Sequence, residues 1–142
     1  MTSQHKIILG FDFGLSKIGI AVGQMVTKTA KPLTVLKAKR GIPDWTLIQK
    51  IIQEWGIDAL VVGLPLNMDG TEQRITQFAK QFGNTLHEKF SLPVYFSDER
   101  LTTVAARDEM HTHLSGSARF EQADSVSAKI IVESWMGISD HG

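Results

Sequence analysis

Cysteine is absent from this 142-residue chain, which excludes both a disulfide framework and a thiolate metal site. No apolar stretch approaches the roughly 20 residues that a membrane span needs. Met1 to Lys6 leads straight into a strand-like run, without the charged leader and apolar core of a signal peptide. No repeat or low-complexity segment stands out, and the 4 prolines and 12 glycines do not gather into a linker. Net charge is absent too, 15 basic side chains balancing 15 acidic ones. These absences predict a single cytoplasmic globular domain over residues 1–142, its 42% hydrophobic content sufficient for one core.

The balanced charge is unevenly spread. Seven Lys or Arg (Lys6, Lys17, Lys28, Lys31, Lys37, Lys39 and Arg40) stand against Asp12 alone in residues 1–43, so the remainder of the chain nets −6. Five of these cations fall between Lys28 and Arg40 with no acid among them. Such a segment sets up a local positive field suited to a polyanion. Lysines guarding a solvated sheet edge give the same pattern.

The order of elements predicts a mixed α/β fold. Lys6–Phe13 and Lys17–Gly23 read as a hairpin joined by Gly14-Leu15-Ser16, with Leu33–Lys37 behind Pro32 as an antiparallel edge strand. Asp44 is placed to cap a helix carrying Trp45, Ile48, Ile51, Ile52 and Trp55, and Gly56 to end it. The apolar run Ala59–Leu64 fits a parallel strand covered on both faces. It opens into Pro65–Thr71, with a turn at Asp69-Gly70 and Thr71 as expected cap of a helix bearing Ile75, Phe78, Ala79, Phe82 and Leu86. Leu92–Ser97 is a fifth strand, followed by a short helix from Thr102 or Thr103 to about Met110. A polar stretch over 111–120 then precedes a final helix striped by Ala123, Val126, Ile130, Ile131 and Trp135. The sum is a five-stranded sheet flanked by helices.

Three acids sit where such a sheet gathers chemistry. Asp12 ends the first strand, Asp98-Glu99 follows the fifth, and Asp124 is expected in the first turn of the last helix. Sites in open α/β sheets form at the carboxyl ends of the parallel strands, where the first and fifth strands are expected to present Asp12 and Glu99 side by side. Three carboxylates at close range repel unless a cation joins them, and an oxygen-only set selects a hard ion such as Mg²⁺ or Mn²⁺. Two such ions about 4 Å apart would clamp the attacking and leaving oxygens of a phosphodiester. Each acid also has a plainer role: Asp12 as a buried structural acid, Asp98 as partner of Arg100 or helix cap, Asp124 as a charge favoured near a helix N-terminus.

The stretches Asp12-Phe13-Gly14-Leu15-Ser16-Lys17-Ile18-Gly19-Ile20-Ala21-Val22, Val62-Gly63-Leu64-Pro65-Leu66-Asn67-Met68-Asp69-Gly70-Thr71 and Asp98-Glu99-Arg100-Leu101-Thr102-Thr103-Val104-Ala105-Ala106 closely resemble the YqgF (RuvX) family. These are Holliday-junction-resolvase-like proteins described as pre-16S rRNA nucleases. The resemblance runs from about Ile7 to about Trp135 and implies a ribonuclease-H-like fold. By motif, the family's acidic triad falls on Asp12, Glu99 and Asp124 as catalytic and metal-binding residues. The implied activity is a nuclease using Mg²⁺ or Mn²⁺, two ions in all, that processes the 5′ end of precursor 16S rRNA. Its partners would be precursor rRNA or branched DNA, with no membrane, and it would act as a monomer or weak homodimer.

Lys17 and Arg119, set against the family pattern, read as nucleic-acid-binding positions; Arg100, directly after Glu99, and Asn67 and Thr71, at a helix N-terminus, join them by position. Lys17 stands where the family usually has arginine, keeping the charge without the bidentate fork. Gly23-Gln24 replaces a common Ser-Asp, and Arg119-Phe120-Glu121-Gln122-Ala123 replaces the usual lead into Asp124. The loop from Asn67 to Thr71 enters a helix N-terminus, a natural phosphate site or simply a capped turn. His111 and His113 share a polar segment without a third ligand and read as solvated. Trp45, Trp55 and Trp135 lie on apolar stripes and read as core. Two further functions fit parts of the pattern: a nucleic-acid-binding protein without catalysis, and a nucleotide site built on the Asp-Phe-Gly hairpin. The second is set aside because 142 residues cannot supply two lobes to close over ATP.

Overall fold

Six strands in the order β4-β3-β2-β1-β5-β6 form one mixed sheet. The computed structural model describes residues 6–99 and 116–139, with the side chains of the last helix given from Ser125 to Gly137. β1 (Ile7–Asp12) and β2 (Lys17–Gln24) make the expected hairpin, Asp12 lying opposite Gly19. β3 (Thr29–Lys39) pairs antiparallel with β2 and carries the two-residue β4 (Ile42–Pro43) on its outer edge. This β4 is the sixth strand, too short to be read from alternation. β5 (Ala59–Leu64) and β6 (Val94–Asp98) continue the sheet in parallel with β1. A register shift between Ile20 and Ala21 leaves one extra residue in β3, at Leu33 beside Pro32. A proline with no N–H to give the ladder is at home in such a bulge.

Helices cover both faces. α1 (Trp45–Trp55) starts at Asp44, whose side chain accepts from the Thr46 amide, and stops at Gly56 in the left-handed conformation, as expected. α2 (Arg74–Phe90) packs beside it. Between these helices and the sheet lie Leu9, Phe11, Ile18, Ile20, Ile48, Leu60, Val62 and Leu86, with Trp45 stacked on Phe82. α3 (Gly116–Ser139) crosses the other face, where Ile8, Ala21, Ala59 and Val61 meet Ala128, Ile131, Val132 and Met136. Trp135 packs on Tyr95 at the rim of that second layer, and Trp55 is half-buried beneath Lys31. The sheet is glycine-lined where α3 presses closest: a Cβ on Gly10 would stand 2.0 Å from Val132 Cγ2.

Two helix boundaries differ from the sequence reading. The cap of α2 is Gln73 and not Thr71, because Thr71 is drawn into a local turn with Asp69. α3 begins at Gly116, so Asp124 lies in its third turn and not its first. Ala118, Arg119, Glu121 and Gln122 favour helix without any apolar stripe to announce it. The expected helix from Thr102 or Thr103 to Met110, with His111 and His113, lies outside the described residues. Among those residues no helix is long and apolar enough to cross a membrane.

Candidate functional site

β1, β5 and β6 all run toward one edge of the sheet, and their carboxyl ends are crowded with polar groups. Strand alternation puts Ile8, Gly10 and Asp12 of β1 on the α3 face, together with Ala59, Val61 and Gly63 of β5. Tyr95 and Ser97 of β6, with Glu99 just beyond, share that face.

The strands of Asp12 and Glu99 are not adjacent; β5 lies between them. The two acids nevertheless meet, the Glu99 carboxyl hydrogen-bonding that of Asp12. Gly63 explains how. A Cβ at that position would stand 2.9 Å from Glu99 Cγ and 3.1 Å from its Cδ, so the Glu99 stem lies in a groove across β5 that any side chain would close. Sequence reasoning missed Gly63, although a glycine inside an apolar strand is the usual sign of a close approach.

Half-burial raises the Glu99 carboxyl above the ordinary glutamate range. The Asp12 hydrogen bond opposes that rise, and the nearby charge of Asp98 adds to it. Two carboxyls joined by a hydrogen bond hold a proton between them, and a cation can take its place. Beneath them Ser97 Oγ is buried and has no hydrogen-bond partner among the described residues. All these donors are oxygens, which suits a hard divalent ion and no softer one. The residues present therefore fit Mg²⁺ or Mn²⁺.

Asp124 is placed by its helix alone. Met136 lies over Gly23, Val132 over Gly10 and Gly23, and the Ala128 carbonyl 3.4 Å from a Cβ on Gly10. One turn further toward the N-terminus of α3, position 124 comes level with the end of β1, next to buried Ser125. Its side chain and that of Arg119 lie outside the described set, as does Arg100 altogether. Among the described residues no group of three acids or histidines gathers around one point.

The remaining predicted positions divide between the edge and its surroundings. Lys17 opens β2, exposed, on the same face as Asp12. Asn67 and Thr71 follow β5 in an exposed loop that closes on itself. Asn67 Nδ2 donates to Thr71 Oγ1 at 2.9 Å, while the Thr71 amide and hydroxyl both donate to Asp69. The helix N-terminus behind this loop is also engaged: the Gln73 amide donates to Thr76 Oγ1, and the Thr76 hydroxyl to the Pro65 carbonyl.

Comparison with known proteins names the family. The family model described as "RuvX: Holliday junction resolvase" matches residues 6–137. The chain belongs to the RuvX family. A relative from Nitrosococcus oceani, named "Putative pre-16S rRNA nuclease", is 49% identical over 134 residues, covering 94% of this chain and 88% of its own. One from Proteus mirabilis with the same name is 53% identical, covering 92% and 95%. Among solved structures, a Thermus thermophilus RuvC in complex with a Holliday junction substrate superposes with a TM-score of 0.58 at 17% identity, covering 94% of this chain and 97% of that one. A fowlpox virus Holliday junction resolvase gives 0.52 at 14%, covering 94% and 99%. The RuvX chain thus has the ribonuclease-H-like fold expected of it, and its relatives are named as nucleases.

Proposed function

We propose that this RuvX protein is a cytoplasmic, divalent-metal-dependent nuclease that processes the 5′ end of precursor 16S rRNA. The observation that carries the reading is the hydrogen-bonded pair Asp12–Glu99, held at the carboxyl edge of the sheet by the groove over Gly63. Asp12, Glu99 and Asp124 would hold two Mg²⁺ or Mn²⁺ ions. When bound, these ions supply Lewis-acid polarisation of the phosphodiester and charge stabilisation on its oxygens. The protein's own part is to fix the carboxylates before substrate arrives, with Gly63 leaving room for the Glu99 stem, and to position phosphate. Lys17, on the same face as Asp12, would take that last task with Arg100 and Arg119, which follow Glu99 and precede Asp124 in the sequence. The hydrogen-bonded Asn67–Thr71 loop follows β5 at the same edge. The names of relatives about 50% identical to this chain support rRNA as substrate.

The test is cleavage of labelled RNA spanning the 5′ end of precursor 16S rRNA, with a labelled four-way DNA junction in parallel. Cutting of the RNA in Mn²⁺ and not in EDTA supports the reading. Cutting of the junction alone would move the substrate to branched DNA, served by a symmetric dimer presenting two sites. Binding of either without cutting would leave a nucleic-acid-binding protein.

A further inference from the structure

The basic residues counted between Lys28 and Arg40 do not share one surface, and the bulge in β3 is the reason. Before it, Lys31 pairs with Val22 and turns to the α1 side, its Nζ 4.9 Å from the Trp55 ring. After the extra residue the alternation is reversed. Gly19, opposite Asp12 on one side, faces Val35 on the other; Lys17 therefore faces Lys37, and Lys39 follows two residues on. Lys17, Lys37 and Lys39 thus stand on the same face of the sheet as Asp12, all three exposed.

From strand spacing and rise, the α-carbons of Lys17, Lys37 and Lys39 lie about 8, 12 and 17 Å from that of Asp12, in a line running away from the acids. Lys17 and Lys37 are direct cross-strand partners. Like charges in that relation repel and weaken the sheet. None of the three makes a salt bridge among the described residues, whereas Lys50 and Lys80 do. Edge protection does not account for Lys17, since β2 is an interior strand. A repelling pair with no salt bridge among the described residues, aligned on the acids, suits an anion from outside.

We infer that Lys17, Lys37 and Lys39 form a track for the sugar–phosphate backbone of the bound nucleic acid, leading across β2 and β3 to the Asp12–Glu99 edge. This rests on the nuclease reading above and adds to it the direction in which substrate leaves the site. The contacts are to phosphate, so they raise affinity without reading sequence.

The test compares two triple variants of equal charge. One is Lys17→Gln/Lys37→Gln/Lys39→Gln; the other is Lys31→Gln/Lys50→Gln/Lys89→Gln, all three on the α1 and α2 side. Binding of the labelled precursor RNA is measured in EDTA at several salt concentrations, with melting curves to confirm both fold. The track predicts that the first triple lowers the slope of log affinity against log salt by about 2 to 3, and the second by less than 1. In Mn²⁺ the first should lower kcat/KM by more than the second does. Equal losses from the two triples would show a diffuse field and overturn the track. So would an unchanged slope in the first. Wild-type protein that neither binds nor cuts the RNA or the junction would instead overturn the nuclease reading itself.

Discussion

Replacing Gly63 with alanine isolates the device that brings the two carboxyls together. The strand backbone there accepts alanine without strain, so only space is at issue. The new methyl would stand 2.6 Å from Ile131 Cδ1, 2.9 Å from Glu99 Cγ and 3.1 Å from Glu99 Cδ, against an ordinary contact of 3.4–4 Å. Both neighbours are side chains, which limits the stability cost to the low end of overpacking, about 1–2 kcal/mol. At this chain length that is roughly 3–7 °C of Tm. Glu99 must retreat by about 0.5–1 Å, and misplacement on that scale costs up to about 100-fold in rate. Gly23→Ala is the matched control. Its methyl would stand 2.5 Å from Val132 Cγ1 and 3.3 Å from Met136 Cε, on the same face at the far end of β1 and β2. Calorimetric melting, Mn²⁺ titration and RNA cleavage are then run on both. The expected result is a similar fall in Tm for the two, with Mn²⁺ affinity and cleavage falling about 10- to 100-fold in Gly63→Ala and staying within a few fold in Gly23→Ala. Full activity in Gly63→Ala, or equal losses in the control, would refute the groove.

Other outcomes follow from the same geometry. Gly10→Ala puts a methyl 2.0 Å from Val132 Cγ2 and should cost about 3 kcal/mol, most of it regained in Gly10→Ala/Val132→Ala; denaturant melts of the single and double variants measure that coupling. Glu99→Gln should raise the Tm of metal-free protein. The folded state holds the Glu99 proton to higher pH than the unfolded chain does, so wild type loses stability as pH rises past the ordinary glutamate value. Melts in EDTA should therefore show the variant's advantage at pH 7 and not near pH 4. Asp44→Asn should act in the opposite direction. The Thr46 hydroxyl and amide hold the Asp44 carboxyl below its usual range, so its contribution is present at neutral pH and fades as pH falls through that range; paired melts at pH 7 and pH 3 would show the difference closing.

What the sequence disclosed depended on how local the determinant was. Asp44 and Gly56 bracket α1 as read, since a cap and a left-handed stop act within one turn. The apolar run Ala59–Leu64 is a buried parallel strand because burial on both faces leaves no room for alternation. Thr71 misleads as a cap because Asp69, two residues away, competes for its amide and hydroxyl. The five cations before Gly41 look like one patch until a single extra residue at the bulge sends Lys31 to the opposite face from Lys37 and Lys39. The candidate site shows the same division. Asp12 and Glu99 stand out as acids at strand ends, but their meeting depends on strand order and on Gly63, which neither acid reveals.

The most direct test of the central claim is single-turnover cleavage of the precursor RNA across a Mn²⁺ titration, for wild type, Asp12→Asn and Glu99→Gln. The account predicts saturable metal activation in wild type and a loss of at least about 1000-fold in either variant, with folding intact by melting curve and RNA binding in EDTA preserved. Cleavage that persists in both variants, or that needs no divalent ion, would contradict it.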